Sequence, residues 1–172
     1  MKTCLASSLV IAAFLATGCA QEIEQEEVTA AVDLVAEKAA AKAVLDLFPQ
    51  AMIDEDLELM GLIIAQDPNT MVIGTDAAER WVGYEAFRAS LEIQFASYED
   101  SEIVVRDQVI TVSRSGEVAW FSELMDWRLT AGGEQVALEG LRMSGVLEKR
   151  DGAWVMVQAH ASVPVAGQAM EY

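Results

Sequence analysis

Between residues 28 and 60 apolar side chains return every three or four positions, through Val28, Val32, Val35, Ala39, Leu47 and Ala51. That spacing lays them along one side of a helix, and the alanines at 39, 40, 41 and 43 favour helical backbone by themselves. Pro49 lacks a donor and crowds the preceding turn, so it is expected to bend or interrupt the stretch. A shorter helix is expected over 56–63, a turn at Asp67, Pro68 and Asn69, and a short strand over 71–74. A third helix is expected over 83–96, where Tyr84, Phe87, Leu91 and Phe95 form a stripe. Past Ser101 the chain changes to long runs rich in β-branched and aromatic residues, giving strands over 103–113, 117–129, 136–149 and 154–163. Turns at 113–116, 131–133 and 150–152 are short, which makes the strands an antiparallel meander. Helices first and strands later define an α+β domain with the helices on one face of a curved sheet.

Alternation within the last two strands assigns their faces. Even positions Trp154, Met156, Gln158, His160 and Ser162 make a mixed face, and odd positions Val155, Val157, Ala159, Ala161 and Val163 a small apolar one. The preceding strand divides alike, Arg142, Ser144 and Val146 against Leu141, Met143, Gly145 and Leu147. With Trp154 taken as core, Arg142, Ser144, Gln158, His160 and Ser162 are expected to point toward the helices. The apolar face would then be the outer one, and an uncovered apolar face calls for a partner. A homodimer through the outer sheet face is the expectation.

Charge and composition narrow the function. The chain has 172 residues, enough for one domain with a real core, and carries 11 Lys and Arg against 28 Asp and Glu, a net charge of −17. Such a surface repels phosphate backbones, so nucleic acid is excluded as a partner. Two cysteines and one histidine leave neither a disulfide framework nor a metal cluster; no metal and no cofactor is expected.

The N-terminus reads as an address. Lys2 is followed by an uncharged apolar run over 4–16 that is too short to span a bilayer comfortably and is closed by small residues. Leu15, Ala16, Thr17, Gly18 and Cys19 are similar to a bacterial lipobox. This organises the chain as a signal peptide over 1–18, a lipidated Cys19 with an acidic tether over 19–27, a folded domain over 28–166 and a tail over 167–172. The protein is expected in the bacterial cell envelope, touching the membrane only through its anchor.

With that order of elements in place, residues of about 28–165 resemble the SnoaL-like branch of the nuclear transport factor 2-like superfamily. The resemblance is carried by Ile73, Gly74, Thr75 and Asp76, by Trp81 with Gly83, and by Trp120. Its densest part runs from Arg142 to Leu147, then Asp151, Gly152, Ala153 and Trp154, then Val157 to Val163 with His160 and Ser162. It implies a conical barrel, a curved antiparallel sheet covered on its concave face by three N-terminal helices, with a pocket between the two and commonly a dimer through the outer face. The superfamily holds isomerases, dehydratases and cyclases as well as binding and assembly domains, so fold leaves the function open.

Within such a cone Arg142, Ser144, Gln158, Trp120, Trp81 and Asp76 are the candidate pocket residues. A buried guanidinium requires an anion, supplied by Asp126, by Asp76 or by a ligand. His160 is a candidate general base with Asp126 as its acidic partner. Relatives often carry a second histidine where this chain has Gln158, which argues against a paired-histidine metal site. Ser162 and His160 lack a nucleophile elbow, Glu123 and Asp126 have opposite parity, and no glycine-rich phosphate loop is present. Three readings remain: a lipid-anchored domain binding a small apolar or weakly anionic molecule, an acid-base isomerase, dehydratase or hydrolase acting on a small carbonyl compound, and a structural partner domain with a collapsed cone that uses only its dimer face.

Overall fold

A computed structural model describes residues 31–167; the signal peptide, Cys19, the acidic tether and the first three residues of the expected domain lie outside the described residues, as does most of the tail. The elements run α1 (Leu34–Ile53), α2 (Leu57–Ile63), β1 (Met71–Ile73), β2 (Arg80–Val82), α3 (Tyr84–Phe95), β3 (Tyr98–Val112), β4 (Val118–Ala131), β5 (Glu134–Arg150) and β6 (Ala153–Ser162). The three helices and four long strands stand where the periodicity put them.

The carboxylate of Asp33 starts α1 by accepting from the backbone N–H groups of Val35 and Ala36, both at 3.1 Å, and Asp56 starts α2 by accepting from those of Glu58 and Leu59, both at 2.9 Å. Pro49 does not interrupt α1, which continues to Ile53; the break comes at Asp54 to Asp56, where Glu55 takes a φ of 56°. The stripe that α1 buries also differs from the one expected. Val35 is 82% exposed, whereas Ala41, Leu45, Phe48 and Met52 face the sheet. Glu37 ties α1 to the strands: its carboxylate accepts from Lys149 Nζ at 2.5 Å and from the Trp154 indole N–H at 3.0 Å.

The sheet has the order β2-β1-β6-β5-β4-β3, antiparallel throughout except for the parallel pair β1 and β6. β2 is a strand that the sequence pattern did not predict; it pairs Trp81 with Val72 and closes a hairpin onto β1. The sheet curves at register shifts. On β3 they fall between Glu99 and Glu102 and between Arg106 and Val109, where Asp100 and Asp107 adopt φ of 52° and 53°. Between β4 and β5 the shift lies at Asp126 opposite Glu139 and Gly140, and Gly140 has φ 67°. An extra residue bends its strand and sharpens the twist, which turns a flat ladder into a cone wall.

The shift between β5 and β6 overturns the face assignment made from alternation. Met156 pairs with Leu147 and Gln158 with Val146, so Val157 is the surplus residue. One extra residue exchanges the two faces of a strand. Trp154 and Met156 are buried, as expected for even positions, but beyond the bulge it is Ala159 that is buried and His160 that is exposed. The neighbouring strand agrees: Leu141, Met143 and Leu147 are buried while Arg142 and Ser144 are exposed. The small apolar face is therefore the concave one, under the helices, and the mixed polar face is convex.

Candidate functional site

Between the helices and the concave face lies a cavity of about 270 Å³. Its sheet wall consists of Val72 and Ile73 from β1, Met125, Trp127 and Leu129 from β4, Leu138, Leu141 and Met143 from β5, and Ala159 and Ala161 from β6. Its helix wall consists of Phe48 and Met52 from α1 and Phe87, Leu91 and Gln94 from α3. The alanines of β6, Ala159 and Ala161, leave room that larger residues would occupy. Ser97, Thr75, Gln94 and Glu79 supply the polar edge.

Four of the five aromatic rings that border the space stand in two pairs. Trp81 and Phe87 stand 5.7 Å apart at 55°, and Tyr98 and Trp127 stand 5.5 Å apart edge to face at 89°. The polar ends of the second pair are engaged elsewhere. Tyr98 Oη donates to the Met52 carbonyl at 2.8 Å, and the Trp127 indole N–H donates to Ser101 Oγ at 2.7 Å. Burial holds the Tyr98 phenol well above its ordinary pKa. Both residues thus offer the cavity apolar ring surface rather than donors.

Glu79 is the charged side chain of the wall. It precedes β2 and lies two residues from Trp81, so the two share the cone side of the hairpin while Arg80 and Val82 face out. Its Oε2 accepts from the backbone N–H of Thr75 at 2.6 Å and of Asp76 at 3.0 Å. Gly74 makes this fold-over possible, because a Cβ there would stand 2.3 Å from Glu79 Oε2.

Of the residues proposed from sequence, Trp81 lines the cavity. Asp76 sits beside it on the exposed turn and contributes its backbone N–H to Glu79. Trp120 and Asp126 on β4, Arg142 and Ser144 on β5 and, beyond the bulge at Val157, Gln158 and His160 on β6 all lie on the convex face, away from the cavity. Nor do Arg142 and Asp126 pair. Arg142 donates to the Val163 carbonyl at 3.2 Å, whereas Asp126 is clamped by Arg106 through two bonds of 3.0 Å and by the Gly140 N–H at 2.7 Å. The Arg106 guanidinium, with help from that N–H, draws the Asp126 carboxyl down to about 2. Asp126 thus staples the β4–β5 bulge in its ionised form.

Two acids on the concave side, one lining the cavity and one buried beneath α1, were not singled out from the sequence as site residues. Glu79 belongs to a hairpin whose second strand is only three residues long, so no alternation marks it. The other is Glu123, a carboxyl only 4% exposed on the concave side of β4. Gln108, turned inward at the Asp107 bulge, donates to it at 2.9 Å, and Asp46 and Lys42 of α1 are the charged groups facing it. Burial pushes the Glu123 acid above its ordinary range despite the Gln108 bond. Among the described residues no three metal-binding side chains converge.

Comparison with known proteins places this architecture. The SnoaL-like domain family matches residues 41–166. Searching curated proteins gives no match. Solved structures share the fold at low identity. A nuclear transport factor 2-like superfamily protein from Salmonella enterica serovar Typhimurium aligns over 80% of this chain and 99% of its own, with TM-score 0.71 and 16% identity. A candidate dehydratase of the same superfamily from Streptomyces avermitilis aligns over 77% and 99%, with TM-score 0.66 and 17% identity. A candidate scytalone dehydratase from Novosphingobium aromaticivorans aligns over 76% and 86%, with TM-score 0.66 and 14% identity. With the family matched over most of the chain and the α+β cone in place, this protein belongs to the SnoaL-like domain family and has the nuclear transport factor 2-like fold.

Proposed function

We propose that the cone binds a compact, predominantly apolar small molecule, and that binding rather than proton transfer is the task of the domain. The observation that carries this reading is the cavity of about 270 Å³ walled by aliphatic and aromatic side chains with polar groups at one edge only. Its size lies just under the roughly 300–1,000 Å³ usual for small-molecule pockets, and its character matches theirs. His160 and Asp126, the proton handlers suggested by the sequence, border no part of it. An anionic ligand is not favoured either, since Arg142 is outside and no Lys, Arg or His lines the wall.

The test is native mass spectrometry of protein purified from its own source. A discrete extra mass is expected on the wild type and is expected to be lost in Ala161→Leu, which fills the floor of the cavity. An empty wild type that also shows no thermal shift with any of a panel of apolar ring compounds overturns the reading.

The domain is further proposed to be exported, anchored through acylated Cys19, and homodimeric through its convex face. The lipobox-like run supports the first two. The third is supported by Trp120 and Val109, 49% and 60% exposed on that face. Cys19→Ala is expected to release the protein from membranes on fractionation.

A further inference from the structure

Resting on the reading of the cone as a binding site, we propose that its ligand is a lipophilic amine, recognised as a cation by Glu79 and the neighbouring aromatic rings. Glu79 is the one charged side chain of the wall, and among the described residues it forms no ion pair. Every other acid that meets an arginine or lysine does so on the outer surface or beneath α1. The backbone N–H groups of Thr75 and Asp76 hold Glu79 Oε2 in place, so the carboxylate is fixed before a ligand arrives. A carboxylate held at an apolar wall without a counter-ion is stabilised by a cation and destabilised by an anion.

The aromatic surroundings point the same way. Trp81 stands beside Glu79 on the hairpin and its ring packs against Phe87 at 5.7 Å. Ring faces attract an ammonium group, most strongly where water is excluded. An apolar remainder would then occupy the space between Met125, Leu141 and Ala159. The chain as a whole adds a long-range preference, because a net charge of −17 raises the local concentration of cations and lowers that of anions.

Three probes with one ring system separate charge from shape: 2-naphthylmethylamine, 2-naphthylmethanol and 2-naphthoate. Each is titrated calorimetrically into the purified full chain at neutral pH. The amine is expected to bind roughly tenfold or more tighter than the alcohol, and the naphthoate more weakly than either. Glu79→Gln is expected to collapse the amine-to-alcohol ratio toward unity, and Gly74→Ala to do the same by pushing Glu79 aside. Glu85→Gln, an exposed acid outside the wall, is expected to keep the ratio. If the alcohol or naphthoate binds as tightly as the amine, the amine assignment is wrong and the apolar cone reading survives. If no probe binds and the purified protein carries no extra mass, both fall together.

Discussion

Gly145 lies opposite Phe121 in the middle of the sheet, and a Cβ there would stand 2.4 Å from the Gln158 carbonyl oxygen and 2.7 Å from a Phe121 ring carbon. Backbone on one side and a buried ring on the other leave nothing that yields cheaply. Gly145→Ala is therefore expected to cost about 1–3 kcal/mol, read as a lowered denaturation midpoint with an unchanged slope. Two acids on the same strand respond to pH with opposite sign. The Asp126 carboxyl is drawn below its unfolded value of 3.8 to about 2, so the stability it contributes is present above pH 3.8 and lost as pH falls toward 2. Thermal melts of Asp126→Asn are expected to lie below wild type at neutral pH and to converge with it across that window. Burial raises the Glu123 acid above its ordinary 4.5, so the fold is favoured while that group is neutral and loses stability as pH rises through the folded-state value. Glu123→Gln keeps an acceptor for Gln108 and removes the charge. It is expected to raise stability at neutral pH by on the order of 1 kcal/mol, with the gain vanishing below pH 4.5.

At the scale of elements, the long strands and three helices were legible because each extends over enough residues for its period to show. The bends were not. Asp100, Asp107 and Gly140 occupy positive-φ positions that only Gly and small polar residues tolerate well, but isolated aspartates in an acidic chain give no warning of it. Val157 gives less still, since a surplus valine in an apolar run looks like strand. That single residue sent His160, Gln158 and Arg142 to the wrong side of the reading, while Trp81 was placed correctly because no bulge separates it from its turn. Glu79 was missed for the complementary reason: only the β1–β2 pairing reveals which way it faces. The bulge at Asp107 also protects an edge, because β3 is the last strand of the sheet and, among the described residues, its outer side has no strand partner. Asp107→Val places a β-branched residue at φ 53° and removes an exposed charge from that edge. The variant is expected to lose about 1–2 kcal/mol and to aggregate faster on heating, followed by light scattering.

For the whole molecule, the difficulty in self-association is charge. Two copies at −17 each repel, so a dimer needs a face where that repulsion is locally cancelled. The convex face provides one: Arg106, Arg128 and Arg142 project there among Asp126, Glu102 and Glu139. Beside these charges, Trp120 on β4 pairs with Val146 on β5, and Val109 on β3 lies opposite Ser122, one pair further along the same face. Such a surface, apolar toward one end and balanced in charge toward the other, suits a second copy better than it suits an acidic or basic stranger. Trp120 is its large exposed aromatic, and buried aromatic anchors carry much of the energy of an interface. Trp120→Glu removes that ring and adds one more negative charge per copy. Sedimentation equilibrium is expected to show a wild-type dimer that tightens with added salt, as the net repulsion is screened, and a variant that remains monomeric at every salt concentration. Because the cavity lies on the opposite side of the sheet, the monomer is expected to bind apolar probes as the dimer does. A wild type that sediments as a monomer throughout would leave Trp120 without a partner and the convex face as ordinary surface.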